Sequence, residues 1–314
     1  MKNKKTSHKR PAKLHGNERE GLLVTTFGAN AELEDDNGNL VRCHIRKNCD
    51  PVITGDRVLW LPEQDGTASI VGHLPRKSLL CRPENSHKLK PIAANIDAII
   101  VATAPPPVMS ENMIDRYLVA AENLAIQPII LLNKVDLVTA ESKQHIEQSL
   151  EVYKKIGYTV IFSSVYAQNG LAELSAFLQD KTCVLIGPSG VGKSSIIAAL
   201  TSEQSIKIGE VSASTGLGKH TTTTTRLYHL PHGGNLIDSP GVREFGLWNI
   251  DPSDVIKGFV EFKSLLTRCK FRDCKHQKEP GCAVQAAVAN QEVSGRRFQN
   301  YQNILQDLAK RNVH

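Results

Sequence analysis

From residue 21 to about 82, apolar and polar positions alternate in short runs, "LLVTTF", "NLVRCHIR", "DRVLWLP" and "TASIVGHL". Asn37-Gly38, Gly55-Asp56 and Asp65-Gly66 punctuate them, and such pairs suit tight turns between strands. Short strands without a helix predict a small closed barrel of OB or SH3 type, because closure removes edges that would otherwise pair with other chains. Near residue 95 the pattern changes. "NIDAIIVATA", "QPIILLNKVD", "YTVIFSS" and "TCVLIG" are continuous apolar runs that read as buried strands. Between them "SENMIDRYLVAAENLAI", with Ser110 as N-cap, "ESKQHIEQSLEVYKKI" and "GLAELSAFLQD" carry helical periodicity. This alternation predicts a parallel sheet covered on both faces, with ligand loops at the C-terminal strand ends. "KSSIIAAL" reads as a further helix, and "RLYHL" and "NLIDS" as two more strands.

After about residue 250 a Cys/His cluster is followed by a long helical segment, from about Val284 to Asn312. Residues 1–20 lack apolar periodicity and are expected to be disordered when free. The expected division is a basic tail over 1–20, a barrel over 21–82, an α/β domain over 83–245 and a Cys/His helical unit over 246–314.

Charge adds a second layer. The chain carries +6 in all, but residues 1–20 hold seven Lys/Arg against two Glu, and residues 262–314 hold ten against four acids. Basic ends around an acidic middle fit a protein that grips a polyanion at its periphery; charged ends that merely keep the chain soluble are the alternative. Arg42, Arg46, Lys47 and Arg57 of the barrel are candidates to face RNA, against scattered surface charge. No apolar run reaches the 18 residues or more of a membrane span, and no apolar segment follows the basic N-terminus. No membrane partner and no secretory leader are therefore expected. Seven cysteines, three of them within 269–282 beside a histidine, point to a metal site in a reducing compartment.

"GPSGVGKS", Gly187-Pro188-Ser189-Gly190-Val191-Gly192-Lys193-Ser194, satisfies the phosphate-loop pattern between a strand and a helix, with Ser195 following. Its backbone N–H groups can cradle phosphates, Lys193 can reach the β- and γ-oxygens, and Ser194 can bind Mg²⁺. "DSPG" ends another apolar strand; Asp238 would hold Mg²⁺ through water and the Gly241 N–H would sense the γ-phosphate. "NKVD", Asn133-Lys134-Val135-Asp136, is the tetrapeptide with which a guanine pocket reads its base. Asp136 can accept from guanine N1–H and the exocyclic amine, Asn133 can brace the loop, and the Lys134 stem can cover the base. "SSVYAQNG", with Ser163 and Ser164, follows the next strand and can support the base. These elements run in an unusual order, with base reading ahead of the phosphate loop. A circularly permuted sheet makes the same pocket, since chain ends in compact domains often lie close together. The γ-phosphate-sensing segment then leads directly into the Cys/His unit, which hydrolysis could re-aim.

"CKFRDCKHQKEPGC" places Cys269, Cys274, His276 and Cys282 within fourteen residues, the number and softness of ligands for a closed tetrahedral Zn²⁺ site; isolated thiols are the alternative. Lys270, Arg272, Lys275 and Lys278 interleave them and suit RNA phosphates. Cys43, Cys49, Cys81 and Cys183 read as isolated small hydrophobes, with Cys183 buried.

The permuted order, the polar "GLGKHTTTTTRLYHL" and the Cys/His cluster together resemble the circularly permuted ribosome-biogenesis GTPases of the RsgA (YjeQ) type. The resemblance covers almost the whole chain. It implies a multidomain fold: an OB-type β-barrel, a circularly permuted P-loop GTPase domain and a zinc-binding domain with helices. It implies a cytoplasmic GTP hydrolase that binds the small (30S) ribosomal subunit and its 16S rRNA late in maturation, with turnover stimulated by that subunit. An RNA-binding module gated by GTP or GDP, with little turnover, is the alternative; nothing demands more than a monomer. In the resembled family His220 and Thr221, Thr222 and Thr223 belong to switch I, and one threonine, here taken as Thr222, joins Mg²⁺. Val242 stands where a water-orienting Gln is usual in Ras-like enzymes, as in the resembled family. Candidates for the missing group are His220, for which a structural or RNA-facing role is the equal alternative, and a group supplied by the ribosome.

Overall fold

The computed structural model describes residues 16–63, 67–85, 88–105, 107, 109–201, 225–238 and 250–311. Five strands, β1 (Arg19–Phe27), β2 (Asn30–Glu34), β3 (Leu40–Ile45), β4 (Arg57–Pro62) and β5 (Ala68–His73), close into a barrel in the order β1-β2-β3-β5-β4-β1. The β3–β5 pair is parallel and the others antiparallel, the arrangement of an OB-fold. Leu23, Leu33, Val58, Trp60 and Ile70 fill its interior. A hairpin, β6 (Leu79–Asn85) and β7 (Lys88–Ala94), follows, where the sequence pattern had given no separate element.

The α/β domain carries β8 (Ala98–Thr103), β9 (Gln127–Leu132), β10 (Val160–Phe162), β11 (Thr182–Ile186), β12 (Arg226–His229) and β13 (Asn235–Asp238) in the order β10-β9-β8-β11-β13-β12. All are parallel except β12, which runs antiparallel to β13. Helices α1 (Glu111–Asn123), α2 (Ala140–Lys155), α3 (Ala172–Leu178) and α4 (Lys193–Leu200) cover its faces. Ser110 caps α1 by accepting from the Met113 N–H, as its sequence predicts. Two apolar layers, one around Ile99, Val101 and Ile130 and one around Ile100, Ile129 and Leu131, show why these strands read as unbroken apolar runs: both faces are buried.

Barrel and sheet are continuous through β1 and β12, which pair at Thr25 and Arg226. The hydroxyls of Thr25 and Thr54 donate to the Thr225 carbonyl at 2.9 and 3.1 Å, and Arg226 pairs with Glu32 at 3.3 Å.

The C-terminal unit begins with a 3-10 turn, Pro252–Gly258, and ends in α5 (Ala283–Ala289) and α6 (Gly295–Arg311). The sequence suggested one long helix here; the chain instead breaks at 290–294, with Gln291 at φ 62°, and restarts at Ser294. Phe259, Phe262, Tyr301 and Ile304 form its small core, which also takes in Val119 of α1. Gly258 lies so close to α1 that a Cβ there would sit 2.3 Å from Val119 Cα. Arg297 fastens the joint. Its side chain is fully buried, donates to Asp115 at 2.7 Å and to Glu261 at 2.8 and 2.9 Å, and lies over the Phe259 ring. Tyr153 and Asn300 also donate to Asp115. Burial works against the guanidinium charge, but Asp115 and Glu261 more than offset it and push the pKa of Arg297 above its ordinary value. Replacing Arg297 by Ala strands two carboxylates and is expected to cost about 3–5 kcal/mol. Arg297→Met with Asp115→Asn and Glu261→Gln should recover part of that loss. Denaturant midpoints of both variants check it, and an unchanged midpoint for Arg297→Ala would refute it.

Candidate nucleotide and metal sites

The phosphate-loop sequence turns back between β11 and α4. Gly187, Gly190 and Gly192 adopt φ of 144°, 85° and 91°, a region that strains residues with a Cβ. At Gly187 a Cβ would come within 2.2 Å of the Ala102 carbonyl oxygen, so the turn rests directly on the end of β8. Lys193 Nζ donates to the carbonyls of Gly187 and Pro188 at 2.7 and 2.8 Å, which holds the ammonium over the turn. A phosphate oxygen is the stronger acceptor for that charge.

Asn133 follows β9 and is buried. Its Nδ2 donates to the Val191 carbonyl at 2.8 Å, its Oδ1 accepts from Ser163 Oγ at 3.0 Å, and its N–H donates to Thr103 O at 2.9 Å. One side chain thus ties together the "NKVD" loop, the "SS" loop after β10 and the phosphate loop. Lys134, at φ 60°, turns the chain so that Asp136 comes next to Ser164, whose hydroxyl donates to Asp136 Oδ1. Ser164 Oγ also accepts the Tyr166 N–H at 3.1 Å. The Val135 N–H donates to Ser163 O at 3.1 Å. Asn133, Lys134 and Asp136 at one end and Ser189, Lys193 and Ser194 at the other line a cleft of about 430 Å³. That volume lies within the range of small-ligand sites.

Leu137 and Tyr166, 59% and 84% exposed, flank the base end of this cleft and were not singled out in the sequence. Their signal was position alone, one residue after Asp136 and two after Ser164. Asp238 ends β13 beside β11, so its carboxylate and the phosphate loop leave neighbouring parallel strands at the same end. His220, Thr221, Thr222, Thr223, Gly241 and Val242 lie outside the described residues.

Replacing Asn133 by Ala leaves the Val191 carbonyl buried without its donor, at an expected cost of about 1–3 kcal/mol. GTP and GDP binding should weaken together, with base selectivity retained, in calorimetric titrations. A selective loss for one nucleotide would contradict the bracing role.

The second site lies in the C-terminal unit. The ligand atoms of Cys269, Cys274, His276 and Cys282 are all within 4.8 Å of one another. His276 Nδ1 stands 3.6 Å from Cys269 Sγ and 3.3 Å from Cys282 Sγ. With metal–sulfur bonds of about 2.3 Å, ligands on a tetrahedron are about 3.8 Å apart, so these residues fit Zn²⁺ and leave no open position. Burial lowers the His276 pKa, which favours the neutral imidazole that binds metals, while burial pushes Cys274 up to about 11. A bound cation would displace that thiol proton. The hairpin carrying the ligands closes through Lys270 N–H on Gly281 O at 3.0 Å.

The other cysteines match their reading. Cys183 and Cys43 are buried, and all four are free of disulfides. The barrel arginines make exposed surface ion pairs, Arg42 with Glu32 at 3.6 Å, Arg46 with Glu63 at 3.8 Å, and Arg57 with Glu20 and Asp36 at 3.2 and 3.6 Å. Surface pairs of this kind are weak and leave the guanidinium groups exposed, so the barrel cations fit scattered surface charge as well as an RNA-facing set.

Residues 73–248 match the family model described as RsgA GTPase. A small ribosomal subunit biogenesis GTPase RsgA from Pectobacterium carotovorum is 46% identical over 301 residues, spanning 94% of this chain and 86% of that protein. One from Haemophilus influenzae is 42% identical over 98% of this chain and 92% of its own length. Among solved structures, YjeQ from Thermotoga maritima superposes with a TM-score of 0.74 at 30% identity, covering 93% of this chain and 99% of that one. YloQ, described as a circularly permuted GTPase, superposes with a TM-score of 0.75 at 29% identity over 96% and 99%.

Proposed function

Because this chain belongs to the RsgA GTPase family and is a GTP-hydrolysing enzyme, we propose that it binds the small ribosomal subunit and acts there as a GTP-driven switch in late maturation. The observation that carries the reading is the Asn133 brace. It makes one guanine-nucleotide cleft from three loops, inside a domain whose sheet is bonded to the barrel and whose helix α1 is bonded to the Cys/His unit.

In this reading Asp136 reads the guanine edge, with its carboxylate oriented by Ser164. The phosphate-loop N–H groups and Lys193 hold the phosphates, and Ser194, Asp238 and Thr222 hold Mg²⁺. The Mg²⁺ supplies charge neutralisation at the phosphates. Val242 cannot orient water, so His220 or a group of the bound particle completes the hydrolytic site, and turnover depends on that partner. One structural Zn²⁺ on Cys269, Cys274, His276 and Cys282 holds the C-terminal unit. The protein acts as a cytoplasmic monomer on 16S rRNA.

The buried Arg297 joint also bears on how the switch is transmitted. A nucleotide-driven movement carries the C-terminal unit along with α1, unless it breaks a network of three charged side chains.

GTP hydrolysis by the zinc-loaded protein, with and without purified small subunits, tests the proposal. Large subunits and ATP serve as controls. Strong stimulation only by small subunits with GTP is the expected result. Tight GTP-dependent binding without stimulation would instead mark a gated binding module.

A further inference from the structure

Several cations of the described chain have carboxylate partners, including Arg76, Arg116, Arg226, Arg296 and Arg297. The metal-ligand loop and its approach differ. Lys263, Arg268, Lys270, Arg272, Lys275 and Lys278 are all exposed, and among the described residues none of them forms an ion pair with a carboxylate. Only two acids share this stretch. Glu279 is consumed by the backbone: its own N–H, and the N–H groups of Lys275, Gln277 and Lys278 from which it accepts at 3.1, 2.8 and 3.0 Å, hold its carboxyl below its ordinary value. That turn leaves Asp273 as the other local acid.

In the middle of these charges stands Phe271, 41% exposed, with the Lys270 ammonium 5.6 Å from its ring centre. Its backbone is fixed from both sides. Lys270 bonds to Gly281 across the hairpin, and the Phe271 carbonyl accepts the Cys274 N–H at 3.4 Å. Phe271 borders a groove of about 560 Å³ whose apolar floor includes Leu266, Tyr301 and Leu305 and whose rim includes Arg272 and Lys275.

We propose that Phe271 is a stacking platform for an unpaired RNA base, with Lys270, Arg272 and Lys275 taking the flanking phosphates. The proposal deepens the RNA-binding part of the function above and rests on it. An aromatic face set among cations is what single-stranded nucleic acid needs, since every base has a π-face and every linkage a negative charge. A duplex offers no free base face to a side chain projecting from a loop. A second copy of this chain would bring six like charges against six, so self-association is disfavoured at this face.

The test uses the full-length, zinc-loaded protein with a single-stranded RNA oligonucleotide of unstructured mixed sequence, and in parallel with small ribosomal subunits. Phe271→Leu keeps apolar bulk and removes the π-face; it should bind the oligonucleotide roughly 5- to 150-fold more weakly. Its salt dependence should be unchanged. The triple variant Lys270→Gln, Arg272→Gln, Lys275→Gln should instead reduce the slope of log K against log salt by about 2, at roughly 0.7 per phosphate contact. Phe271→Trp should bind like the parent, with its added emission quenched by RNA. Equal zinc content and thermal midpoints establish that the variants are folded. Wild-type affinity in Phe271→Leu, or unquenched emission in a saturated Phe271→Trp complex, overturns the platform while leaving RNA binding standing. Weakened binding to subunits but not to naked RNA assigns the face to a protein partner and also overturns it. No binding of either probe by the parent protein removes the underlying reading and this inference together.

Discussion

Replacing Asp136 by Asn is expected to exchange the preferred nucleotide from GTP to xanthosine triphosphate. Guanine presents two donors, N1–H and the exocyclic amine, to the carboxylate. Hydrogen bonds to a charged group contribute about 1.5–3 kcal/mol each, so losing both lowers GTP affinity by roughly 10²- to 10⁴-fold. Xanthine carries a carbonyl in place of the amine. The Asn amide can donate to that oxygen while its own oxygen accepts N1–H, so the variant pairs where the parent repels. Ser164 matters to the size of the effect. Its hydroxyl already donates to Oδ1 of Asp136 and fixes the plane of the group, and an Asn oxygen can accept the same bond. The substitution therefore changes recognition with little change to the loop. Competition of each triphosphate against a fluorescent guanine nucleotide measures it. Undiminished GTP binding with continued rejection of xanthosine triphosphate would place base reading elsewhere.

The parts of this site that were legible in the sequence are those whose function depends on near neighbours in the chain. A phosphate loop needs its glycines and its lysine within eight residues, and the metal ligands fall within fourteen. The "NKVD" loop was legible from its place at the end of an apolar strand, and the OB or SH3 choice was open because strand pairing order is not written in alternation. Pairing across the barrel settled it through the parallel β3–β5 contact. The same long-range pairing hid the surface ion pairs of Arg42 with Glu32 and of Arg46 with Glu63, since nothing local marks which acid will lie nearby.

The Arg297 joint was illegible for the same reason. Asp115 sits in a helix beside ordinary polar residues, and its guanidinium partner is 182 positions away. The helix break at 290–294 left a faint mark, since Ser294 just before a helical run suits a cap, but the apolar period continues across it.

Removing the metal should do more damage than any single substitution of a residue other than its ligands in the C-terminal unit. Its core is a modest cluster built on Phe259, Phe262, Tyr301 and Ile304, and the segment 263–282 has almost no regular structure beyond short 3-10 turns. Such a segment cannot meet the entropy of ordering from apolar burial alone. A Cys₃His zinc site supplies on the order of 10 kcal/mol of apparent binding free energy at neutral pH, and that energy goes into folding. Chelation, or Cys282→Ala, is therefore expected to unfold the ligand loop and loosen α5 and α6. The Val119 face of α1, buried in the intact unit, should then become accessible, while the nucleotide cleft, built by the loops after β9, β10 and β11, keeps its affinity for GDP. Hydrogen exchange with and without chelator resolves the two regions, and metal analysis should return one zinc per chain. Cobalt in place of zinc should show the absorption of a tetrahedral thiolate site. Full protection of α6 after complete metal removal would mean that the Arg297 joint and the aromatic cluster suffice to hold this unit, and that the cysteines serve another purpose.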